Sequence, residues 1–305
     1  MSEAPAPAIS VVMSVYNGER YVAEAVESVL GQTFADFEFI LMDDGSTDGS
    51  PALLKQYAQR DPRVRLVSRP NRGLTKTLNE GLGLARGQFV ARMDADDVSL
   101  PSRFEKQIAF LRAHPDCVCV GTRVLRIDPH GSPLSESDHK LTHEEIDRQL
   151  MEEGLGWAIT HPAAMMRGDA VMRIGGYREQ FRTSQDLDLW LRLAEVGRLA
   201  NLPDVLLKYR YHPQSVGFTK FEEQRRVKAV ILQDAYARRG RTPPAQWPEG
   251  IFTPLPVAEQ LRRWARTALK ANNRAVAKKH AIDALKREPL TLDSWRVAFR
   301  AFMLG

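Results

Sequence analysis

The sequence predicts an α/β protein: a mainly parallel, Rossmann-like sheet flanked by helices, with a helical C-terminal appendage. Three observations support this fold class. Strand and helix patterns alternate from Ile9 to Arg112, as in doubly wound folds. The first strand pattern, Ile9–Val15, is apolar and β-branched, which is typical of a parallel strand buried on both faces. Near Gly217 the alternation ends, and helical patterns follow.

The predicted elements of the first part of the chain form strand–helix pairs. We place strands at Ile9–Val15, Phe37–Met42, Val64–Val67 and Gln88–Met93. We place helices at Glu19–Leu30, Ser50–Gln59, Thr75–Ala85 and Leu100–Arg112. Repeated units of this kind favour right-handed crossovers and a parallel sheet. Ligands of such sheets bind outside the carboxyl ends of the strands, so we expect a site there.

The later part of the chain has a less regular pattern. The Pro/Gly/Ser-rich segment Asp128–Glu136 is predicted to be a loop. Helices are predicted at Thr142–Met151, Asp186–Val196 and Phe221–Arg239, strands at Ala163–Met166 and Val205–Tyr211, a Pro-rich linker at Pro243–Pro256, and a helical segment at Val257–Gly305 with breaks at Asn272-Asn273 and Pro289. We therefore expect a loose tail at residues 1–8, an α/β domain at residues 9–218 and a helical region at residues 219–305.

The net charge of +5 is unevenly distributed. Ala258–Gly305 contains 11 Lys/Arg and 4 Asp/Glu, so it carries +7 and the rest of the chain −2. A slightly acidic main domain without a nucleic-acid-binding motif excludes nucleic acid as a partner. The basic segment has two possible interpretations. In the first, it forms amphipathic helices that contact an anionic membrane surface. In the second, which we favour, it forms a helical cap that docks on the main domain and exposes its basic face to solvent.

Cysteine content and hydropathy indicate the cellular compartment. Cys117 and Cys119 lie two residues apart on a predicted strand, so we expect them to share a face and to be buried thiols. The sequence shows no secretory signal and no run of about 18 apolar residues that would cross a membrane. We therefore expect a cytoplasmic protein. Under the membrane interpretation of its basic helices, the expected location is the inner face of the membrane.

The strongest local motif is Asp94-Ala95-Asp96-Asp97, which follows the fourth predicted strand. On an extended segment, Asp94 and Asp96 point the same way. Paired carboxylates at a strand end suit a hard divalent cation, Mn²⁺ or Mg²⁺, which would bridge two phosphates and neutralise a diphosphate leaving group. The alternative is a solvated acidic turn that caps the next helix.

Polar residues also follow the first two strands. Asp43-Asp44-Gly45-Ser46 ends the second strand, where a carboxylate can accept hydrogen bonds from a nucleobase or a ribose and Gly45 permits a tight turn. Turn and helix-capping chemistry alone is the alternative. Ser14, Tyr16 and Asn17 lie at the end of the first strand. Tyr16 is a candidate for stacking on a base, and a plain core tyrosine is the alternative.

Together these stretches resemble family 2 of the glycosyltransferases, whose members have the GT-A fold. The resemblance covers about Ile9 to Phe218 and depends on ISVVMSVYNGERYVAEAVESVLGQTFADFEFILMDDGSTDGS and NRGLTKTLNEGLGLARGQFVARMDADDVSLPSRFEKQ, which match the family's order and spacing. It implies a GT-A-type domain that binds a nucleotide sugar. The residues that it assigns to this ligand are Ser14, Tyr16, Asn17, Asp43, Asp44, Arg72, Asp94 and Asp96. The residues that it assigns to a metal ion are Asp94, Asp96, Asp97 and His212.

The resemblance also distinguishes roles within these sets. It gives Asp44 the contact to the base, with Asp43 a weaker candidate, and it makes Asp96 the central metal ligand. Arg72 lies where the family often has a basic or small residue near the diphosphate, and a surface arginine is the alternative. His212 would supply a neutral imidazole to the metal or the diphosphate.

The resemblance makes Asp186 the general base. In an inverting transfer, one carboxylate takes the proton of the acceptor hydroxyl as its oxygen attacks the anomeric carbon, and the diphosphate leaves from the opposite face. Similar enzymes have a Glu-Asp pair here, so Gln185 is a departure. Asp188 is a poor second candidate. The alternative is that Asp186 only stabilises a helix N-terminus.

The predicted function is therefore metal-dependent transfer from a nucleoside-diphosphate sugar, with a UDP-sugar as the expected donor. We expect the acceptor to be a hydroxyl of a glycan or a lipid-linked molecule in polysaccharide or cell-envelope synthesis. A nucleotidyltransferase is one alternative, but Tyr16-Asn17-Gly18-Glu19 stands where its Gly-rich phosphate loop would be. A non-catalytic nucleotide-sugar-binding protein is the other.

Overall fold

The computed structural model describes residues 6–212, 221–245 and 256–303, and its elements alternate as predicted. The strands are β1 (Ile9–Val15), β2 (Phe37–Asp43), β3 (Val64–Ser68), β4 (Phe89–Asp94), β5 (Val98–Ser99), β6 (Cys117–Ile127), β7 (Pro133–Glu136), β8 (Met165–Arg167) and β9 (Arg198–Arg210). The helices are α1 (Val22–Leu30), α2 (Ser50–Arg60), α3 (Leu74–Leu84), α4 (Arg103–Ala113), α5 (His143–Glu153), α6 (Gly168–Arg173), α7 (Gln185–Leu193), α8 (Phe221–Arg238), α9 (Val257–Lys270), α10 (Arg274–Arg287) and α11 (Leu292–Met303).

Within the described ranges, nine strands form one sheet in the order β3-β2-β1-β4-β8-β6-β9-β5, with β7 paired to β6. The strands β3, β2, β1 and β4 are parallel, and β6 is parallel to β9. The short strand β8 is antiparallel to both β4 and β6 and joins the two groups. Ser14 of β1 aligns with Met42 and with Asp94, so the carboxyl ends of β1, β2 and β4 lie side by side.

Helices cover both faces of the sheet, and each face has its own apolar core. On one face α1, α2 and α4 pack through residues such as Val26, Leu54 and Phe104. On the other face α3, α5, α7 and α8 pack through residues such as Leu78 and Trp190. Alternate residues of each strand supply the two cores, which is why the strands are apolar throughout.

The expectation that Cys117 and Cys119 share a face is wrong. The pairing of β6 with β9 shifts register between these two residues, so β6 has a bulge there. Cys117 therefore lies in the core beside α4, and Cys119 lies in the core on the opposite face. The prediction of buried free thiols is confirmed. Burial raises the pKa of Cys117 to about 11, so this thiol stays protonated at neutral pH.

The segment 128–136, predicted to be a loop, contains strand β7, which pairs antiparallel with β6. A tight turn brings β7 back to β6: Oδ1 of Asp128 accepts hydrogen bonds from the main-chain N–H groups of His130 at 2.8 Å and Ser132 at 3.0 Å. Leu134 is buried and packs against the C-terminal helices. The Pro/Gly/Ser composition therefore predicted the turn correctly but hid the short strand after it.

Helices α9, α10 and α11 form a cap with its own core, which confirms the predicted helical appendage. Leu261 and Trp264 of α9 lie in this core, and Leu134 of β7 joins them. Asp128 joins the cap to the α/β domain through an ion pair, since its Oδ2 lies 2.5 Å from Nζ of Lys279. Nε2 of His280 lies 3.5 Å from the same oxygen. The cap is thus docked on the α/β domain.

Two predicted boundaries fall outside the described residues. The division between residues 218 and 219 lies in the gap 213–220, and most of the predicted linker lies in the gap 246–255, so the domain division stays a prediction. Most of the predicted tail at residues 1–8 also lies outside. No helix that the structure describes has both the length and the apolar character needed to cross a membrane.

Candidate active site

The predicted acidic turn brings three carboxylates together after β4. Asp94, Asp96 and Asp97 each offer one side-chain oxygen, and these oxygens lie within 4.8 Å of one another. Asp97 is the most buried: its Oδ1 accepts a hydrogen bond from the main-chain N–H of Arg210 at 2.7 Å. Its Oδ2 has no hydrogen-bond partner among the described residues. Burial, together with repulsion from the other two carboxylates, raises the pKa of Asp97 well above its usual range.

This group of carboxylates fits a divalent metal ion. Like charges this close are unfavourable without a cation, and a buried carboxylate oxygen without a partner is costly. Carboxylate oxygens are also the ligands that Mn²⁺ and Mg²⁺ prefer. His212 lies at the same place, with its Nε2 2.8 Å from Oδ2 of Asp96. Its ring packs on that of Tyr21, with 5.5 Å between the centroids.

A cavity of about 1350 Å³ contains five of the predicted site residues. These are Arg72, Asp94, Asp96, Asp186 and His212. Trp157, Gln185 and Tyr209 also line it. The cavity therefore brings the candidate metal ligands and the candidate base to one space.

Asp186 lies in the first turn of α7, which follows Ser184 in the left-handed conformation (φ 55°). Its Oδ1 accepts a hydrogen bond from the N–H of Leu187 at 2.9 Å. A Cβ atom at Gly156 would lie 3.3 Å from both carboxylate oxygens, so glycine leaves room for them. Burial raises the pKa of Asp186, against the opposing effects of the Leu187 N–H and the Lys228 ammonium. A carboxylate with a raised pKa is a stronger proton acceptor.

Asp188, the poor second candidate, has a structural role. Its side chain is fully buried and accepts hydrogen bonds from Nε of Arg178 at 2.9 Å and from Nε of Arg192 at 2.9 Å. Arg178 also pairs with Asp234 of α8 at 2.7 Å. Asp188 therefore helps to join α7 to α8, and it does not line the cavity.

Arg92 was not identified from the sequence. It lies in β4 and is only 1% exposed. Its Nη2 donates a hydrogen bond to Oδ1 of Asp94, while its Nε and Nη1 have no partner among the described residues. Burial raises the pKa of both Asp94 and Asp186, and Arg92 opposes this rise. A signal existed, since Arg92 is the one charged residue in the apolar run Phe89–Met93.

Asp44 supports the part of the cavity wall that Arg72 and Gly73 form. Its carboxylate pairs with Arg69 and accepts hydrogen bonds from the main-chain N–H groups of Arg72 at 2.8 Å and Gly73 at 3.0 Å. Arg72 and Gly73 line the cavity, whereas Asp44 itself does not. Gly73 has a φ of 87°, which favours glycine at this turn before α3. The predicted contact of Asp44 with a base stays a prediction.

Ser14, Tyr16, Asn17 and Asp43 lie beside the cavity and are not among its lining residues. A Cβ atom at Gly18 would lie 3.7 Å from that of Ala95, which places this turn next to the acidic turn. Oδ1 of Asn17 accepts a hydrogen bond from a main-chain N–H at 2.8 Å, and Oδ1 of Asp43 accepts one at 3.0 Å. Tyr16 is 55% exposed, so its interpretation as a core tyrosine is wrong. The role of these four residues in nucleotide binding stays a prediction.

Sequence comparison finds relatives of the region that contains this site. The family model described as glycosyl transferase family 2 matches residues 10–175. EpsE of Bacillus subtilis (strain 168) is 40% identical over 212 residues, which cover 67% of this chain and 73% of EpsE. The amylovoran biosynthesis glycosyltransferase AmsE of Erwinia amylovora is 34% identical over 247 residues, covering 75% and 88%. The O-antigen biosynthesis glycosyltransferase WbnJ of Escherichia coli is 35% identical over 211 residues, covering 68% and 81%.

Solved structures share the fold at lower identity. S. aureus TarS 1–349 in complex with UDP-GlcNAc matches with a TM-score of 0.60 and 18% identity, covering 96% of this chain and 89% of that chain. The mannosyltransferase PcManGT from Pyrobaculum calidifontis, in complex with GDP-Man and Mn²⁺, matches with a TM-score of 0.55 and 20% identity, covering 97% and 80%. These likenesses establish a fold of the GT-A type for the chain.

Proposed function

The chain belongs to glycosyl transferase family 2, and we propose that it is an inverting, metal-dependent enzyme of that family. It transfers a sugar from a nucleoside diphosphate to an acceptor hydroxyl. One observation carries this proposal: Asp94 and Asp96, the candidate metal ligands, line the same cavity as Asp186, the candidate base. Transfer needs the diphosphate and the attacking hydroxyl in one space. The diphosphate requires a metal ion held by carboxylates, and the hydroxyl requires a carboxylate as its base.

The acidic turn and His212 are the proposed ligands of Mn²⁺ or Mg²⁺. Asp96 would be the main ligand, and Asp94, Asp97 and His212 would be further ligands. A cation held there would neutralise the charge that develops on the departing diphosphate. Arg92 donates a hydrogen bond to Asp94 and thereby holds this ligand in place.

Asp186 is the proposed general base. Its carboxylate takes the proton of the acceptor hydroxyl while the hydroxyl oxygen forms a bond to the anomeric carbon. The bond from that carbon to the diphosphate breaks on the opposite face, so the configuration inverts. The Leu187 N–H and the Lys228 ammonium favour the ionised carboxylate, which is the form that accepts a proton. Gln185 lines the cavity beside Asp186 and contributes a neutral amide where similar enzymes have a carboxylate.

The proposed donor is a UDP-sugar. TarS has been solved in complex with UDP and with UDP-GlcNAc, and PcManGT with GDP-Man. Both support a nucleoside-diphosphate sugar, and TarS agrees with uridine as its base. In this proposal Asp44, assisted by Asp43, and the turn of Ser14, Tyr16 and Asn17 contact the nucleoside. The exposed ring of Tyr16 suits stacking on a base. Arg72, whose guanidinium is largely exposed in the cavity wall, would contact the diphosphate.

The proposed role is the assembly of a polysaccharide or another cell-envelope glycan. The names of AmsE and WbnJ, an amylovoran and an O-antigen biosynthesis glycosyltransferase, support this role. The acceptor would be a glycan or a lipid-linked molecule. In this proposal, residues 9–218 form the catalytic domain and residues 219–305 form the helical region. The expected location is the inner face of the membrane.

A donor screen tests the proposal. The full chain would be mixed with UDP-glucose, UDP-galactose, UDP-GlcNAc and GDP-mannose, with Mn²⁺ or with a chelator, and its thermal stability and the release of nucleoside diphosphate would be measured. We expect one UDP-sugar to raise the melting temperature only with the metal and to release UDP. Stabilisation by no nucleotide sugar under either condition would refute the proposal. Release of pyrophosphate from a sugar phosphate and UTP would favour a nucleotidyltransferase instead.

A further inference from the structure

Helix α11 carries an apolar stripe that faces away from the protein. We define the α11 stripe as Leu292, Trp295, Phe299, Phe302 and Met303, which lie on one side of the helix at spacings of three and four residues. Their exposed fractions range from 49% for Phe302 to 74% for Leu292. The opposite side of α11 is buried in the cap. Exposed apolar patches of this kind usually mark a binding surface.

The stripe is held outward by specific contacts. The indole Nε1 of Trp295 donates a hydrogen bond to the carbonyl of Pro289 at 2.7 Å, so the polar atom of this side chain is satisfied and its ring is fixed. The ammonium of Lys278 on α10 lies 5.0 Å from the ring centroid of Phe302. A basic group therefore borders the stripe on the neighbouring helix.

Basic side chains outnumber acidic ones around the stripe, and most of the acids near it are paired. Glu288 and Asp293 pair with α9: Oε2 of Glu288 lies 2.6 Å from Nη1 of Arg262, and Asp293 pairs with Arg266. The acids are thus partly neutralised on the side of α11 that faces the cap. The exposed basic residues of this region are Lys286, Arg287, Arg296 and Arg300, and with Lys278 they form what we call the basic rim. Asp283, whose Oδ1 lies 4.0 Å from Nζ of Lys286, offsets part of this positive charge. The solvent-facing surface is therefore apolar at its centre and mainly positive at its edge.

We propose that the α11 stripe and its basic rim bind the surface of an anionic lipid bilayer. Aromatic and aliphatic side chains of such a helix enter the boundary between headgroups and acyl chains, while basic side chains contact the lipid phosphates. In this proposal α11, which is partly exposed, contacts the lipid, and α9, which is more deeply packed, does not. This inference concerns where the protein is held and does not depend on the proposed reaction.

A second copy of the chain fits this surface less well. A two-fold contact between two stripes would bring Arg296 and Arg300 near the basic rim of the other copy, and like charges across an interface oppose association. One helix face is also small beside the roughly 800 Å² per partner that a stable dimer buries. The charge pattern therefore favours a negatively charged lipid surface.

Vesicle sedimentation tests the proposal with the full chain. One set of vesicles contains phosphatidylcholine alone, and the other also contains about 30% phosphatidylglycerol as the anionic lipid. We expect the protein to sediment with the anionic vesicles, and less so as salt is added. Trp295→Ser combined with Phe299→Ser should weaken binding by about tenfold or more, since two exposed aromatic rings no longer enter the lipid. Arg296→Gln combined with Arg300→Gln should weaken it by roughly tenfold, on anionic vesicles only.

Matched controls use apolar side chains exposed elsewhere. Met172→Ser on α6 and Val230→Ser on α8 remove side chains that are 60% and 54% exposed, and both variants should bind vesicles as the unmodified protein does. Circular dichroism and thermal unfolding establish that each variant is folded. If the variant with Trp295→Ser and Phe299→Ser does not fold, the variant with Arg296→Gln and Arg300→Gln tests the proposal, because both of its positions are exposed.

Three outcomes would overturn the proposal. They are an unmodified protein that does not sediment with anionic vesicles, folded stripe variants that bind them unchanged, and a stripe that mediates a dimer without any vesicle binding. Size-exclusion chromatography with light scattering detects the last case. Failure of the donor screen would refute the proposed function and leave the vesicle result intact, so the two proposals fail independently.

Discussion

Nε2 of His212 lies 2.8 Å from Oδ2 of Asp96, although 116 positions separate these residues in the chain. Asp96 follows β4, and His212 follows β9. Two segments that are distant in the sequence therefore form the candidate metal site. Each can be altered separately to measure its contribution to binding a cation.

Asp96→Ala should abolish the Mn²⁺-dependent stabilisation by a nucleotide sugar, because it removes the central ligand. His212→Ala should raise the Mn²⁺ concentration needed for half of that stabilisation by about 10–100-fold, since it removes one ligand, or the residue that orients Asp96. Titration of Mn²⁺ at a fixed donor concentration, followed by thermal shift, measures both. Asp169→Ala removes an exposed acid on α6 and serves as the control. An unchanged Mn²⁺ response in Asp96→Ala would exclude this site.

Asp186→Asn should lower the transfer rate by about 10²–10⁴-fold while donor binding stays within a factor of two or so, because only proton transfer is lost. In the unmodified protein the pKa of Asp186 is raised by burial. Transfer should therefore decline on the acid side at a pH above about 3.9, the usual value for an aspartate. Product formation measured against pH tests both statements. Retained transfer in Asp186→Asn would remove this residue as the base, and Asp169→Asn is the matched control.

Arg92→Gln should shift the fall in transfer rate at low pH to a higher pH. Arg92 opposes the rise in the pKa of Asp186 that burial causes, so its removal lets this pKa rise further. The ionised base is then lost at a higher pH than in the unmodified protein. The pH profile of kcat/KM, measured at saturating Mn²⁺, gives the result. Arg86→Gln, which alters an arginine paired with Glu38 away from the cavity, should not shift this fall in rate.

Asp128→Asn should destabilise the protein by about 2–4 kcal/mol at neutral pH, because a buried acceptor of charge-assisted hydrogen bonds loses its charge. Burial alone would raise the pKa of Asp128, but His280, Lys279 and two main-chain N–H groups outweigh this effect and hold the pKa well below its usual range. Urea unfolding of the full chain measures the loss. Asp169→Asn, whose exposed partner Arg173 lies 3.6 Å away, should cost little.

The stabilisation by Asp128 should depend on pH in a defined direction. A group whose pKa is lowered by folding contributes its full stabilisation above the pKa of the unfolded chain, about 3.9. The difference between the two proteins should therefore be constant from neutral pH to about 5 and shrink as the pH falls towards 3. A difference that grows on acidification would contradict the assignment of Asp128 as an ionised acceptor.

The features that the sequence predicted well depend on local patterns. The strand Ile9–Val15 was predicted with the bounds that the structure has, because an apolar β-branched run is a local signal. The grouping of Asp94, Asp96 and Asp97 follows from their position after a strand. Arg92 was predictable on the same basis, since a charge inside an apolar strand needs a buried partner.

The features that the sequence did not predict depend on contacts between distant segments. The bulge between Cys117 and Cys119 arises from pairing with β9, and no pattern within β6 indicates it. The pairing of Asp44 with Arg69, and its hydrogen bonds to the turn before α3, likewise require the folded chain. Lys228 lies on α8 among several other basic residues, so nothing in the sequence distinguishes it as the cation that most strongly lowers the pKa of Asp186.

The ring of Trp264 in the cap lies 5.8 Å from that of Tyr211, the residue before His212. Tyr211 itself lines the cavity. A change in the position of the C-terminal helices would therefore move Tyr211 and, through the adjoining peptide bond, the imidazole of His212. Chimeras that exchange these helices between relatives should transfer β7 and the last residues of β9 with them, since these pieces pack against one another. Helices transplanted alone would be expected to alter the affinity for a cation, even where every carboxylate of the acidic turn is unchanged.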